Sequence, residues 1–129
     1  MKLKTLLLLI LILFLINGCA TWSYSGIDRP EGASQVSYEP TKAKNITITA
    51  LDITDKKYKV IGDITATVNK TTVFHADPTR ELVNKKLKEE AAALGADAVV
   101  LVRYGKSGMG LLTWGSMEGK GRAVKYISD

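Results

Sequence analysis

The stretch that most constrains the fold is a helix pattern followed at once by a fully apolar strand. Its apolar side chains recur at helical spacing and form one face: Val83, Leu87, Ala91 and Leu94. Asp77 and Pro78 are expected to open this helix, because Asp accepts bonds from first-turn amides and Pro is tolerated at the first helical position. Gly95 suits the left-handed conformation that ends many helices. Residues 98–102 are apolar at every position, so both faces of the strand they form are apolar. This pattern predicts an interior strand covered on both faces.

Three further stretches have the pattern of strands. Residues 45–51 and 58–68 alternate apolar and polar side chains, and Gly62 marks an expected bend in the second stretch. Residues 117–127 form a last strand, in which a change of apolar parity near Gly121 predicts a bulge. These patterns predict an α+β fold, with a small sheet of about four to five strands and one main helix packed on it.

The same part of the chain resembles a known family. The resemblance is carried by Glu-Glu-Ala-Ala-Ala-Leu-Gly-Ala-Asp-Ala-Val-Val at 89–100, by Arg-Tyr at 103–104 and by Gly-Arg-Ala-Val at 121–124. These motifs resemble the YbjQ-like family, which has been labelled as heavy-metal-binding, over about residues 58–126. The resemblance implies a small α+β domain that assembles into a ring, often a pentamer. The family commonly has Gly-Thr-Ala-Val at 121–124, and the glycine-rich insert before it is particular to this chain.

The start of the chain has the pattern of a secretory signal. A basic start with Lys2 and Lys4 precedes an apolar run at residues 6–16, and the small residue Gly18 suits cleavage. At about 1.5 Å per residue the run covers roughly half of a ~30 Å hydrocarbon core, so a spanning helix is disfavoured. The remaining alternative to an anchored protein is an ordinary secretory signal cut after Gly18.

Cys19, the only cysteine, follows Gly18 directly, and this arrangement resembles the lipobox of bacterial lipoproteins. The resemblance implies that residues 1–18 are removed and that Cys19 carries diacylglycerol and an amide-linked fatty acid such as palmitate. Two or three acyl chains exceed the marginal membrane binding of a single chain. Ala20 in the next position implies the periplasmic face of the outer membrane, where the source has two membranes.

Residues 19–44 are expected to form the lipidated start and a flexible tether, and residues 45–129 the folded domain. The tether contains Pro30, Pro40 and several Gly and Ser residues, and it has no apolar period. Two interpretations of Trp22 and Tyr24 stay open: their rings suit the headgroup layer beside the anchor, or they pack on the domain or a partner.

The charge balance argues against a nucleic-acid partner. Of 18 Lys and Arg residues, Lys2 and Lys4 lie in the predicted signal, so 16 basic residues face 13 acidic ones in the mature chain. The basic residues are spread along the sequence and mixed with acids, whereas a nucleic-acid surface clusters them. A small domain whose only cysteine is lipidated has no disulfide, and oligomerisation is then a common source of stability.

Metal and catalytic sites have few candidate residues. His75 is the single histidine, and His75 with Asp77 supplies two of the four ligands of a usual zinc site. A ring could bring several copies of His75 together, which keeps metal binding as the second hypothesis. A hydrolase using Ser107 or Ser116 with His75 ranks last, because no motif supports the pairing. We therefore expect no enzyme activity and no cofactor other than the covalent lipid.

A glycine-rich connection at 105–115 carries four large apolar side chains: Met109, Leu111, Leu112 and Trp114. Exposed together, they form a patch suited to a partner, a neighbouring subunit or the membrane. The alternative is that they fold back over the sheet. The leading hypothesis is a lipid-anchored, non-enzymatic envelope protein whose domain self-associates or binds another envelope component.

Overall fold

The computed structural model describes residues 3, 5, 21–33, 36–70, 74, 76–105 and 115–128. Five strands form one mixed sheet in the order β1-β3-β5-β4-β2, and one helix packs on it. The strands are β1 (Thr21–Asp28), β2 (Thr47–Ile48), β3 (Tyr58–Lys70), β4 (Ala98–Gly105) and β5 (Gly115–Tyr126). The helix α1 is Arg80–Ala93, and a short 3-10 helix covers Ala43–Asn45. The predicted α+β architecture is confirmed.

The sheet is antiparallel except at one edge. β3 pairs with β1 and β5, and β5 pairs with β4, all antiparallel, whereas β2 adds to β4 in parallel. The strand expected at 45–51 is shorter than predicted, because only Thr47 and Ile48 pair with β4. Ile46 is buried as the alternation suggested, but Ala50 is exposed.

Two hydrophobic clusters cover the two faces of the sheet. The larger cluster lies under α1 and includes Val83, Leu87 and Ala91 from the helix, which confirms the predicted apolar face. The smaller cluster lies on the opposite face, here called the far face, and is centred on Ala98, Val100 and Val124. Because consecutive β4 residues belong to different clusters, β4 is covered on both faces as predicted.

Irregularities occur near both glycines that the sequence indicated, one on the expected strand and the other on its partner strand. β3 has an irregularity between Val60 and Gly62, next to the expected bend. The bulge predicted in β5 near Gly121 lies instead in β4, between Val100 and Arg103, opposite that glycine. A Cβ added at Gly121 would lie 2.5 Å from a methyl group of Val99, so β5 passes too close to β4 side chains for any larger residue.

The helix begins two residues later than predicted. Thr79, not Asp77, is the N-cap, and its hydroxyl oxygen accepts a hydrogen bond from the amide of Leu82 at 3.4 Å. Asp77 is unavailable as a cap because its carboxylate pairs with the Lys70 ammonium at the end of β3. At the other end, Gly95 has a φ of +75°, which confirms the predicted left-handed termination.

The expectation of a structureless tether is wrong for two parts of residues 19–44. Thr21–Asp28 is strand β1, which pairs along its whole length with β3. Farther on, Thr41 bonds through its amide to the carbonyl of Ala92 and through its hydroxyl to the carbonyl of Ala96, both at 2.8 Å. Tyr38 packs so closely over Gly95 that a Cβ there would lie 2.5 Å away. The predicted linker is therefore packed on the sheet edge and the helix end.

Candidate functional site: the β1 edge and the far face

Of the two serines considered for a hydrolase, Ser116 lies in β5 and Ser107 lies outside the described residues. The structure describes one of the seven residues singled out as lipid, metal or contact candidates. The predicted lipid attachment residue, the histidine and the four apolar loop residues lie outside the described residues: Cys19, His75, Met109, Leu111, Leu112 and Trp114. The hypotheses that rest on them stay predictions. The seventh candidate, Asp77, is exposed and forms the ion pair with Lys70.

The metal hypothesis gains no cluster from the described residues. Within them, no three His, Cys, Asp or Glu side chains come close enough together to hold an ion. A ligand role for Asp77 would also compete with its ion pair to Lys70. Metal binding across subunits through His75 stays a prediction.

β1 is an edge strand, and this makes it the first candidate interaction surface. It pairs with β3 on one side and is the outermost strand of the sheet on the other. An edge strand presents a row of backbone N–H and C=O groups that can pair with another strand. Its eight residues extend over about 26 Å, at 3.3 Å per residue. The side chain of Ile27, near its end, is also exposed.

An aromatic pair stands on β1. The rings of Trp22 and Tyr24 lie 5.8 Å apart between centroids, and the two residues are 44% and 53% exposed. By register they are opposite Asn69 and Thr67 of β3 and therefore share the far face with them. The pair is an apolar patch at one end of the sheet.

Two buried polar groups lie beside this pair. Thr67 is 1% and Asn69 is 3% exposed, and neither Oγ1 of Thr67 nor Nδ2 of Asn69 has a hydrogen-bond partner in the described part of the chain. A buried polar group without a partner is uncommon in folded proteins and costs about 1–3 kcal/mol. Both atoms are enclosed beneath the surface of the far face, beside the aromatic pair of β1.

Charged side chains occupy the middle of the far face. Arg122 of β5 donates to Asp63 of β3 through Nε at 2.7 Å and through a terminal nitrogen at 3.1 Å. The hydrogen bond to Asp63 raises the pKa of Arg122 above its ordinary value. Glu118 and Lys120 form a second pair on β5, with 3.2 Å between nitrogen and oxygen. These carboxylates are therefore engaged by cations.

A small cavity and a wider groove complete the described surface. The cavity, of about 130 Å³, lies beside the Asp63–Arg122 pair and is bordered by Leu101 and Arg103. The groove, of about 420 Å³, lies between α1 and the region of β2. The polar side chains around the cavity include Thr65 and Lys120, and those around the groove are Lys, Glu and Asn.

Sequence reasoning missed the β1 edge, although a weak signal was present. Trp22 and Tyr24 alternate with Ser23 and Ser25, which is the period of a strand. The prolines and glycines that follow indicated a linker and outweighed this short alternation. The ion pair of Asp63 with Arg122 was also missed, because its partners are 59 residues apart in the chain.

No helix of the described residues is both long enough and apolar enough to cross a bilayer.

No family model matches the chain, and no curated protein resembles it significantly. Two solved structures are similar in outline. One is a protein of unknown function of the DUF74 family from Pediococcus pentosaceus, with a TM-score of 0.47 and 17% identity, over 64% of this chain and 98% of that one. The other is the Francisella virulence factor FvfA, with a TM-score of 0.44 and 16% identity, over 80% and 96% of the two chains.

Proposed function

We propose that this chain is a lipid-anchored protein of the bacterial envelope, and that its α+β domain acts by binding neighbouring proteins at the membrane. The observation that carries the proposal is the position of β1. This exposed edge strand begins at Thr21, two residues after the predicted lipid attachment site Cys19. The anchor and the surface most suited to strand pairing are thus joined without an intervening linker.

The proposed lipid anchor would hold the protein at the membrane. Cleavage before Cys19 and acylation of its thiol and amine would give the mature chain two or three fatty chains, enough for stable membrane attachment. Ala20 favours the periplasmic face of the outer membrane in a cell with two membranes. Because every copy would then diffuse in the same plane, the local concentration of neighbours is high, and weak contacts between them are effective.

The outer edge of β1, which pairs with no strand among the described residues, supplies the contact. Adding a strand to an exposed sheet edge is a common mode of protein recognition, in which backbone hydrogen bonds give affinity. β1 runs away from the anchor, so its edge is accessible from the side, where other membrane-attached proteins lie. We propose a second copy of this chain, or a strand of another envelope protein, as the partner.

A binding role accounts for the polar residues of the far face better than catalysis does. Asp63 is held by Arg122, and Glu118 is paired with Lys120. A general acid or base must be able to exchange a proton with a substrate, whereas these carboxylates are engaged in ion pairs. The proposal therefore includes no catalytic residue and no cofactor besides the lipid.

The anchor is tested with Cys19→Ser in the full chain, expressed in a bacterium that acylates lipoproteins. Wild-type protein should incorporate labelled palmitate and sediment with membranes, and the variant should do neither. Ser25→Ala serves as the matched control, because it leaves both the signal and Cys19 unchanged. A wild-type product with a bare thiol in the aqueous fraction would refute the anchor.

The contact is tested in the same cells with a photoreactive amino acid at Ile27 on the β1 edge. Illumination should give a discrete cross-linked product, and this product should be lost with Cys19→Ser. The same probe at Ala93, exposed at the end of α1, is the control and should give little product. Equal products at both positions would argue against a contact at the β1 edge.

A further inference from the structure

The strand register gathers several chain segments at one end of the domain. Thr21, the first residue of β1, is opposite Lys70, the last residue of β3, and Lys70 is also opposite Gly115, the first residue of β5. The helix begins nearby, since Asp77 just before α1 forms an ion pair with Lys70. We call this the Thr21–Lys70 end.

The distance between this end and the predicted anchor is short. Thr21 is two positions after Cys19, and a fully extended chain spans at most about 3.6 Å per residue. The first residue of the sheet therefore lies within roughly 7 Å of the Cys19 backbone. Since residues that were expected to form a tether are instead packed on the domain, no slack remains to hold the domain away from the lipid.

The exposed aromatic side chains are concentrated at the Thr21–Lys70 end. Among the described residues, the large aromatic side chains with high exposure are Trp22, Tyr24 and Phe74, and Phe74 is 94% exposed. Phe74 follows Lys70 by four residues, which limits its distance from this end to about 14 Å. Amphipathic aromatic rings are enriched at the level of lipid headgroups.

Basic and apolar side chains of α1 border the same region. Leu82 and Lys85 line a small cavity together with Trp22, and Arg80, in the first turn, is exposed. Cations close to a bilayer are attracted by anionic headgroups. Acidic side chains stand among these cations, since Asp77 and Glu81 are exposed and Glu89 lines the same cavity. The aromatic content of this end is therefore the feature that complements a lipid surface.

The opposite end of the sheet has a different character. It carries Asp28 at the end of β1, and at the start of β3 the hydroxyl of Tyr58 donates to Asp52 at 2.6 Å. This bond raises the pKa of Tyr58 above its ordinary value. Lys56 and Lys57 also lie at this end, and the rings of Tyr58 and Tyr126 are half-buried. The thirteen residues of β3 place this end about 40 Å from Lys70, at 3.3 Å per residue.

We propose that the Thr21–Lys70 end rests on the bilayer, with Trp22, Tyr24 and Phe74 in the headgroup layer and the long strands directed away from the membrane. This inference rests on the proposed anchor at Cys19. It adds an orientation: the lipid is the first contact, and the aromatic end of the domain is the second. Anchoring by two signals of this kind is stronger than by either alone.

Fluorescence quenching in vesicles tests the orientation. The full chain, acylated in cells and purified in detergent, is reconstituted into phosphatidylcholine–phosphatidylglycerol vesicles with or without lipid brominated near the carbonyl end of its acyl chains. In Trp114→Phe, Trp22 is the only tryptophan. Its emission should shift to shorter wavelength on reconstitution and should lose most of its intensity with the brominated lipid.

The matched control moves the tryptophan to the other end of the sheet. In Trp22→Phe, Trp114→Phe, Ile127→Trp, the reporter lies beside Tyr126, which is opposite Tyr58. Ile127 is exposed, so the new ring can be accommodated, and circular dichroism checks the fold. This emission should be unchanged by brominated lipid.

Flotation of the vesicles and the acyl mass of each protein separate the two proposals. Protein without acyl mass that fails to float refutes the anchor itself. Acylated protein that floats while Trp22 stays unquenched, or while both reporters are quenched equally, overturns the orientation and leaves the anchor intact. An unquenched Trp22 would mean that the Thr21–Lys70 end faces water or contacts a protein partner and does not lie in the headgroup layer.

Discussion

Leu101 has a backbone conformation that is costly for a leucine. Its φ is 56°, and no other non-glycine residue in the described part of the chain has a positive φ. It lies in the β4 bulge opposite Gly121, and one common bulge type has glycine in this conformation. We therefore expect Leu101→Gly to be more stable than Leu101→Ala by about 1 kcal/mol in the free energy of unfolding, measured with urea.

The control for this prediction is Leu51, which is exposed and has no positive φ. There the order should reverse, because alanine has less conformational entropy to lose than glycine when the chain folds. If alanine is the better residue at both positions, the backbone at Leu101 is not strained. Sequence gave no sign of this strain, since an apolar run of five residues indicated an ordinary interior strand.

At the level of secondary-structure elements, two residues near the start of α1, Thr79 and Asp77, are the possible N-caps. Because the Thr79 hydroxyl accepts from the Leu82 amide, Thr79→Ala should lower the free energy of unfolding by about 1 kcal/mol. Asp77→Ala should cost less, since the Asp77 side chain is 83% exposed and its ion pair with Lys70 is screened by solvent on that side. Equal losses of unfolding free energy, or a larger loss for Asp77→Ala, would indicate that Asp77 and not Thr79 caps the helix.

The pH dependence offers a second check on the cap. The pKa of Glu81 is lowered, first by a hydrogen bond from its own backbone amide and then by one from the Thr79 hydroxyl. A lowered pKa stabilises the fold above the unfolded pKa of the carboxyl group, and this stabilisation is lost as pH falls. The difference between wild type and Thr79→Ala should therefore shrink in acid.

Among the elements, those with a long local pattern were predictable from sequence. β3, α1 and β4 follow from apolar alternation, helical spacing and a continuous apolar run. β1 did not, because its residues pair with β3 residues between 35 and 49 positions away, and no local turn announces the pairing. The helix start was misplaced for a similar reason: Asp77 pairs with Lys70, which sequence alone does not bring near it.

For the whole molecule, the structure extends the folded unit beyond residues 45–129. A chain of residues 45–129 would lose the eight cross-strand pairs of β1 and both hydrogen bonds of Thr41. At about 0.2–1 kcal/mol for each pair, it should be several kcal/mol less stable than residues 20–129. Chemical denaturation monitored by circular dichroism measures the difference.

A chain of residues 29–129 separates the two contributions, because it keeps Thr41 and removes only β1. It should be intermediate in stability and should aggregate more readily than residues 20–129, since it uncovers the edge of β3. Equal stability of all three chains would mean that residues 20–44 add nothing to the fold. The prediction of Cys19 as the anchor rests on a local motif, whereas the proposed contact surface on β1 depends on long-range pairing that no local pattern indicates.

In the export that we propose for this chain, the long separation between β1 and β3 also bears on the order of events. The N-terminal strand leaves the translocation channel first, and its partner becomes available only after at least 35 more residues have emerged. Until then β1 has no sheet to join, and the cysteine two residues before it stays within an unfolded segment. The acylating and cleaving enzymes would thus reach their substrate before folding encloses its surroundings.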